Sequence, residues 1–426
     1  MKIRTILSKI DLFKKIYRKI VYPKGYCESY FYEPLILEAH AYKARRFDEL
    51  GEEIRLNLLV NTIDKEQIFG GISTAVSFFD NLAIELNVKK RIIVTDEMIY
   101  ENDLHVFSNY TVHDISENSS DDLQILLYYK SKPAPFPVAR GDIFISTAWW
   151  TAYDIYPVIS WQAETYNMQI RQLIYLIQDF EPGFYQWSSR YVLAESTYNL
   201  NCPVIAVYNT KLLKDFFNEK GYKFDKEYYF EPSLNRNLLK YLETNKDVKK
   251  KKQILIYGRP STPRNAFELI FTALKLWAED QPDLNNWIVL SAGEKHLDLE
   301  LSKGLKLKSL GKLTLEDYAK VMSETYIGIS LMISPHPSYP PLEMSTFGIK
   351  TITNCYAHKD LANFNDNIVS LKRYSPDIIA QTMLNLCSDF TEDCKQGYNE
   401  TYLNSKETFE EVVKYIKRDI LISTIL

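Results

Sequence analysis

Arg55-Leu-Asn-Leu-Leu-Val60, then Gly70-Gly71, then Ile72 to Leu86, then Arg91-Ile-Ile-Val-Thr95: the order of these segments decides the fold. The outer two are short apolar strands, and Ile72 to Leu86 reads as an amphipathic helix. Strand, glycine loop, helix, strand is a βαβ unit, with its two strands parallel in one sheet. Further short apolar strands follow at Gly141-Asp-Ile-Phe-Ile-Ser146, Gln172-Leu-Ile-Tyr-Leu-Ile177 and Pro203-Val-Ile-Ala-Val207, separated by polar or helical segments. Such runs suit a parallel sheet covered on both faces.

The pattern then breaks and restarts. Residues 244–252, Thr-Asn-Lys-Asp-Val-Lys-Lys-Lys-Lys, are polar. Beyond them come a strand (Gln253-Ile-Leu-Ile-Tyr257), a loop (Gly258-Arg-Pro-Ser-Thr-Pro-Arg264) and a helix (Asn265 to Glu279). Strands are expected at Trp287–Leu290, Ile327–Ile333 and Lys350–Thr353, with a helix from Leu315 to Ser323. Lys406 to Ile422 reads as one long helix, and residues 33–53 as one or two helices rich in Ala, Leu, Glu and Arg. The expected organisation is two similar α/β domains facing one another: 1–245, 246–405, and a tail helix in 406–426 packing back on the first.

Composition bounds the function. The chain has 426 residues, a net charge of −4, 46% hydrophobic and 25% charged residues, which is ordinary globular usage. The near-neutral charge argues against a general nucleic-acid binder. No apolar run approaches the roughly 18 residues of a membrane span. Aromatics make up 14% of the chain, and its 31 Tyr suit sugar binding as well as cores. Five cysteines without a CxxC pair argue against a disulfide framework or a zinc cluster, and a cytosolic location is expected. Residues 1–25 hold eight Lys or Arg against Asp11, with apolar residues at helical spacing. A basic amphipathic helix there can lie on an anionic membrane surface, at the inner face of the cytoplasmic membrane, or pack on its own domain.

Ligands of open parallel sheets bind beyond the C-terminal strand ends, and clefts between domains favour binding. Three loops matter. Gly70-Gly71 lets backbone N–H groups at a helix start approach a phosphate; it can equally be a plain turn. Arg259 and Arg264 can grip a diphosphate bidentately, or remain solvated. Ser334-Pro-His-Pro-Ser-Tyr-Pro-Pro-Leu-Glu343 leads into a short helix closed by Gly348, with Pro341 and Glu343 in its first turn. There Glu343 either binds a ribose diol or serves the helix start alone. Asp179 and Glu181 follow the strand ending at Ile177, and Asp179 either terminates that strand or acts as a base. Trp149 and Trp150 follow the strand ending at Ser146, either to stack on acceptor sugar or to fill the core. No HExxH, GxSxG or Walker A sequence appears, and no DxD is convincing.

These loops, in this order, resemble the nucleotide-sugar glycosyltransferases of the GT-B fold, family 4. The counterparts are Gly70-Gly71, Gly258-Arg259 with Arg264, Leu310-Gly311 before Glu316, and Leu342-Glu343-Met344 to Gly348. A closer resemblance, carried by Phe69-Gly-Gly-Ile-Ser-Thr-Ala75 and Tyr175-Leu-Ile-Gln-Asp-Phe-Glu-Pro-Gly183, is to the WsaF family of bacterial rhamnosyltransferases. It implies an α/β GT-B fold of two Rossmann-like domains across a central cleft. The implied donor is dTDP-L-rhamnose, the implied acceptor a growing, lipid-linked rhamnan of the cell surface or S-layer. Retaining transfer without metal or other cofactor, and a possible homodimer, go with that resemblance. The implied donor-binding residues are Gly70, Gly71, Gly311, Ser334, His336, Ser338, Tyr339 and Glu343. Arg259 and Arg264 are the implied catalytic residues, with Asp179 the first and Glu181 the second base candidate if transfer inverts instead; Trp149, Trp150 and Glu181 would meet the acceptor. Many relatives carry a further Glu eight residues before Glu343. Here that position is Pro335, beside His336, in keeping with a 6-deoxy sugar.

Overall fold

The computed structural model describes residues 39, 41–63, 70–95, 107–128, 134–404 and 406–425, so the basic segment 1–25 lies outside the described residues. In the first half the strands are β1 (Ala44–Arg46), β2 (Arg55–Val60), β3 (Lys89–Val94), β4 (Thr111–Asp114), β5 (Leu123–Leu127), β6 (Phe136–Val138), β7 (Asp142–Ser146), β8 (Leu173–Ile177), β9 (Val204–Tyr208) and β10 (Lys226–Tyr229). Its helices are α1 (Gly71–Leu86), α2 (Trp149–Tyr166), α3 (Ser189–Ser196), α4 (Lys211–Glu219) and α5 (Arg236–Thr244). The second half has β11 (Lys251–Gly258), β12 (Ile288–Gly293), β13 (Leu299–Ser302), β14 (Leu305–Gly311), β15 (Thr325–Ile329), β16 (Lys350–Asn354) and β17 (Ile368–Leu371). Its helices are α6 (Phe267–Asp280), α7 (Leu315–Glu324), α8 (Tyr339–Thr346), α9 (Pro376–Ser388), α10 (Glu400–Asn404) and α11 (Lys406–Ile425).

The first sheet runs β10-β9-β8-β7-β2-β3-β5-β4, all parallel. The second runs β13-β14-β12-β11-β15-β16-β17, parallel except for the edge pair β13–β14. Burial explains the apolar runs: every residue of β2, β7, β8 and β9 is buried. Leu56, Leu58 and Val60 pack to one side with Phe78, Phe79 and Leu82 of α1, whereas Leu59 joins Ile155 and Val158 of α2 on the other. Burying each such side chain contributes roughly 1.5–3 kcal/mol. In the second sheet Ile254 and Ile256 face α6 and α9, and Leu255 faces α5, α7 and α8. Val412, Val413, Ile416 and Ile420 of α11 join the α1 side of the first core, and Lys417 reaches Glu85 at 3.0 Å.

Two expectations fail here. Residues 41–53 are not helical: Ala44–Arg46 pairs in parallel with Phe136–Val138. Strand pairing overrides the weak local helix preference of Ala, Leu and Arg. The strand expected to reach Ile333 stops at Ile329. Beyond it, the Met332 N–H bonds the Asn354 side chain at 2.7 Å and the Ile333 N–H bonds the Arg264 carbonyl at 2.7 Å, so the chain leaves the ladder and is held by loops instead.

Strand order fixes where a ligand can sit. In the first sheet the order reverses between β2 and β7, and in the second between β11 and β15. After β2 the chain enters α1 at Gly70-Gly71, and the loops leaving β7, β11 and β15 begin with Thr147–Trp149, Arg259–Arg264 and Ser330–Tyr339. Crevices at such reversals are the binding positions of doubly wound sheets.

Candidate functional site

Gly70 and Gly71 are glycine for different reasons. Gly70 precedes α1 at φ +50, where a side chain is strained, and among the described residues a Cβ there would meet nothing within 4 Å. A Cβ on Gly71 would stand 2.8 Å from Oε1 of Gln178, which follows β8. Among the described residues no side chain caps α1, and uncapped first-turn N–H groups suit an anion. One turn in, the Thr74 hydroxyl donates to the Gly70 carbonyl at 3.0 Å, and Thr74 holds down the pKa of Tyr339, of the second half, against the rise that burial causes.

The arginine loop is built from consecutive tight turns: Thr262 N–H to Arg259 O, then Asn265 N–H to Thr262 O. They carry the Arg264 guanidinium to 4.0 Å from the Phe184 ring centre and its Nε to 3.8 Å from the Asp179 carboxylate, both in the first half. Among the described residues Nε has no hydrogen-bond partner, although it is buried. Burial lowers the Arg264 pKa, Asp179 opposes that, and Arg259 adds to it by like-charge repulsion, so the two guanidiniums share one field. A group holding two cations close together is prepared for an anion.

Ser334 ties the halves together. Its hydroxyl donates to the Asp179 carboxylate and accepts the His336 N–H at 2.9 Å. The His336 Nδ1 accepts the Ser338 N–H at 3.0 Å. Burial pushes His336 down to about 4, so the ring is neutral near pH 7 and its proton sits on Nε2. That Nε2 is buried with no partner among the described residues, and the residue is only 7% exposed. Ser338, at φ +68, turns the chain into α8, whose first turn holds Pro340 and Pro341. Because α8 begins at Tyr339, Glu343 is its fifth residue and not in the first turn, which removes the helix-dipole argument for it. Burial instead pushes the Glu343 carboxyl up to about 7, with Tyr318 alongside holding it down.

Asp179 and Glu181 occupy the facing loop after β8. The Asp179 carboxylate also accepts the Phe180 N–H at 2.8 Å. Glu181 accepts the Trp149 N–H at the start of α2, and burial pushes its carboxyl up to about 8. Lys359, which no motif marked, completes the cluster. It follows β16, is fully buried, donates to the Met332 carbonyl at 2.6 Å, and is pushed down to about 7 by burial. Asp179 acts electrostatically on Arg264, His336, Lys359 and Glu181 together.

Three candidates offer less to a ligand: Trp149, Trp150 and Gly311. Trp149 is fully buried, with its ring edge-on to Trp150 and Tyr185 and its indole N–H donating to Tyr185 at 2.9 Å. It offers no face to a sugar, because α2 starts there and turns the ring into the core. Trp150 is half-buried, and its indole nitrogen is buried as well. Gly311 ends β14, two strands from β11, at φ +68, with helix α7 starting later behind its Thr314 cap. The described residues hold no group of three or more His, Cys, Asp or Glu placed for a metal.

The chain matches the family described as WsaF, N-terminal domain, over residues 55–211, and WsaF, C-terminal domain, over 252–384. The O-antigen biosynthesis protein RfbC of Myxococcus xanthus is 26% identical over 283 residues, 66% of this chain but 21% of that protein, so the chain spans about a fifth of that relative's length. Among solved structures, sucrose-phosphate synthase from Thermosynechococcus elongatus aligns over 87% of this chain and 97% of its own, with a TM-score of 0.52 and 10% identity. The pneumococcal O-GlcNAc transferase GtfA, in complex with UDP and GlcNAc, aligns over 86% and 96%, with a TM-score of 0.48 and 10% identity. The fold is GT-B, two Rossmann-like domains. The chain belongs to the WsaF family.

Proposed function

With that family as the premise, we propose that the protein is a glycosyltransferase of cell-surface polysaccharide synthesis that moves L-rhamnose from dTDP-L-rhamnose to a growing rhamnan, with retention and without a metal. One observation carries the reading: Arg264, whose buried Nε has no hydrogen-bond partner among the described residues, stands with Arg259 at one strand-order reversal, while the N-terminus of α1, uncapped among those residues, opens the other. A diphosphate between them meets two guanidiniums and a fan of N–H groups.

Charge develops on the departing nucleotide as the sugar–phosphate bond breaks, and fixed cations in a partly dry cleft stabilise it strongly. Arg259 and Arg264 supply that charge, and the amides after Gly70 approach the phosphate. Glu343 holds the ribose. The His336 Nε2–H is a ready donor to a sugar hydroxyl. Retention needs no dedicated base, since the leaving phosphate takes the acceptor proton. An inverting route would use Asp179 as base, but its carboxylate already accepts from Ser334 and faces Arg264, which favours retention. A UDP- or GDP-sugar donor is the chemical alternative.

A melting-temperature panel with dTDP, UDP and GDP tests the donor, since a ligand of the folded state raises that temperature. The largest rise is expected with dTDP. Extension of a short rhamnoside by one deoxyhexose in mass spectrometry confirms turnover. A nucleotide bound without any extended product would make the chain a binding module.

A further inference from the structure

Trp187 is 91% exposed, and no other Trp is among the large exposed apolar side chains of the described residues. It stacks on Tyr191 at 5.1 Å and 20°. Trp187 precedes the Ser188 cap of α3, and Tyr191 lies in the first turn of that helix. The stack uses one face of the exposed indole and leaves the other open. Beneath Tyr191 lies a cavity of about 540 Å³, a volume usual for ligand pockets. Its walls include the rings of Phe180, Tyr191, Phe216, Tyr222 and Tyr356. Glu195 and Glu219 also line it, the first accepting from the Tyr222 hydroxyl at 2.6 Å and the second 2.9 Å from His358. Both halves contribute, and each wall adjoins the cluster described above: Phe180 follows Asp179, and His358 precedes Lys359.

We propose that this cavity and Trp187, stacked on its wall residue Tyr191, form a subsite for the already-built part of a neutral glycan chain, several sugars from the reacting end. The proposal rests on the transferase reading for its place in the reaction, but not for the binding itself. A pyranose has C–H faces, which pack on flat rings, and a rim of hydroxyls, which carboxylates and phenols can bond. This site supplies rings along a path and carboxylates beside them. Exposed Trp187 and Val192 (62% exposed) would also suit a lipid surface. Against Glu195 and Glu219 the cavity sets, among the described residues, only Lys220 and His358, so it offers no cationic surplus to anionic headgroups, which favours the uncharged chain.

Titration calorimetry of the full chain, without nucleotide, against rhamnose disaccharide and tetrasaccharide tests it. In the unmodified protein the tetrasaccharide is expected to bind at least tenfold more tightly than the disaccharide. Trp187→Ala should abolish that gain without changing the melting temperature, and Trp187→Phe should restore most of it. Equal tetrasaccharide affinity in Trp187→Ala, or loss of phosphatidylglycerol-vesicle binding with glycan binding intact, overturns the proposal. The two readings separate cleanly. A Trp187-dependent tetrasaccharide with no dTDP response leaves this subsite standing and removes the donor assignment; a dTDP response with Trp187-independent glycan binding does the reverse.

Discussion

Two buried charged clusters lie at opposite ends of the strands. At the N-terminal ends of β2, β3 and β7, Arg55 clamps Asp142 through Nε and Nη2 at 2.7 and 2.8 Å. Arg91 reaches the same carboxylate at 3.3 Å, with Asn57 and the Pro137 carbonyl as further partners, and all three charged groups have no exposure. Burial pushes Asp142 up, but the two arginines outweigh it and hold it at about 2. At the C-terminal ends Asp179, Arg264, His336 and Lys359 gather instead, and there the Arg264 Nε and His336 Nε2 have no hydrogen-bond partner among the described residues. A buried polar atom without a partner costs about 1–3 kcal/mol. The first cluster holds the sheet together; the second carries that cost where a ligand can relieve it.

The comparison breaks most visibly at Asp142. Asp142→Ala strands two buried guanidiniums and is expected to cost about 3–5 kcal/mol, read as the shift in urea midpoint. A change under about 1 kcal/mol would make the first cluster ornamental. Arg264→Ala is expected to keep the melting temperature and lower transfer roughly 10²–10³-fold, with Arg259→Ala acting in the same direction. Normal transfer by both variants would remove the leaving-group account.

The pH response sharpens the contrast, because the carboxylates respond with opposite sign. The Asp142 pKa is depressed, so its stabilisation is present above the unfolded value and lost as pH falls from 3.8 toward 2. The Glu181 pKa is raised, so its contribution is full below 4.5 and lost as pH rises toward 8. Between pH 5 and 8 Glu181 therefore removes at most ~1.4 kcal/mol of stability per pH unit, with His336 and Lys359, both depressed, acting the other way, and Glu181→Gln should shift the slope of stability against pH upward. An unchanged slope in that variant would deny Glu181 its buried, neutral state. The smallest effect is expected from Asp179→Asn: under about 1 kcal/mol in stability, since its ion pair is long and partly exposed. A larger loss would show that the second cluster, too, is a structural lock.

Local pattern was enough for the βαβ halves and for the loops that follow β2, β11 and β15. Fully buried parallel strands are apolar over most of their length, and the helix start at Gly70 needs glycine for its positive φ. The tryptophans were less legible: Trp149-Trp150 and Trp187 look alike in sequence, and only packing turned one into the core and left another on the surface. Lys359 had no motif because its burial comes from loops packed around it after β16.

The amino-acid sequence alone determined two α/β halves, their parallel sheets and the positions of the glycine and arginine loops, since these follow from short-range periodicity and backbone freedom. Tertiary structure alone decided that Ser334 meets Asp179 across 155 residues and that the guanidinium of Arg264 rests on Phe184. Such meetings depend on how one sheet is set against the other, and no local spacing of residues encodes that distance.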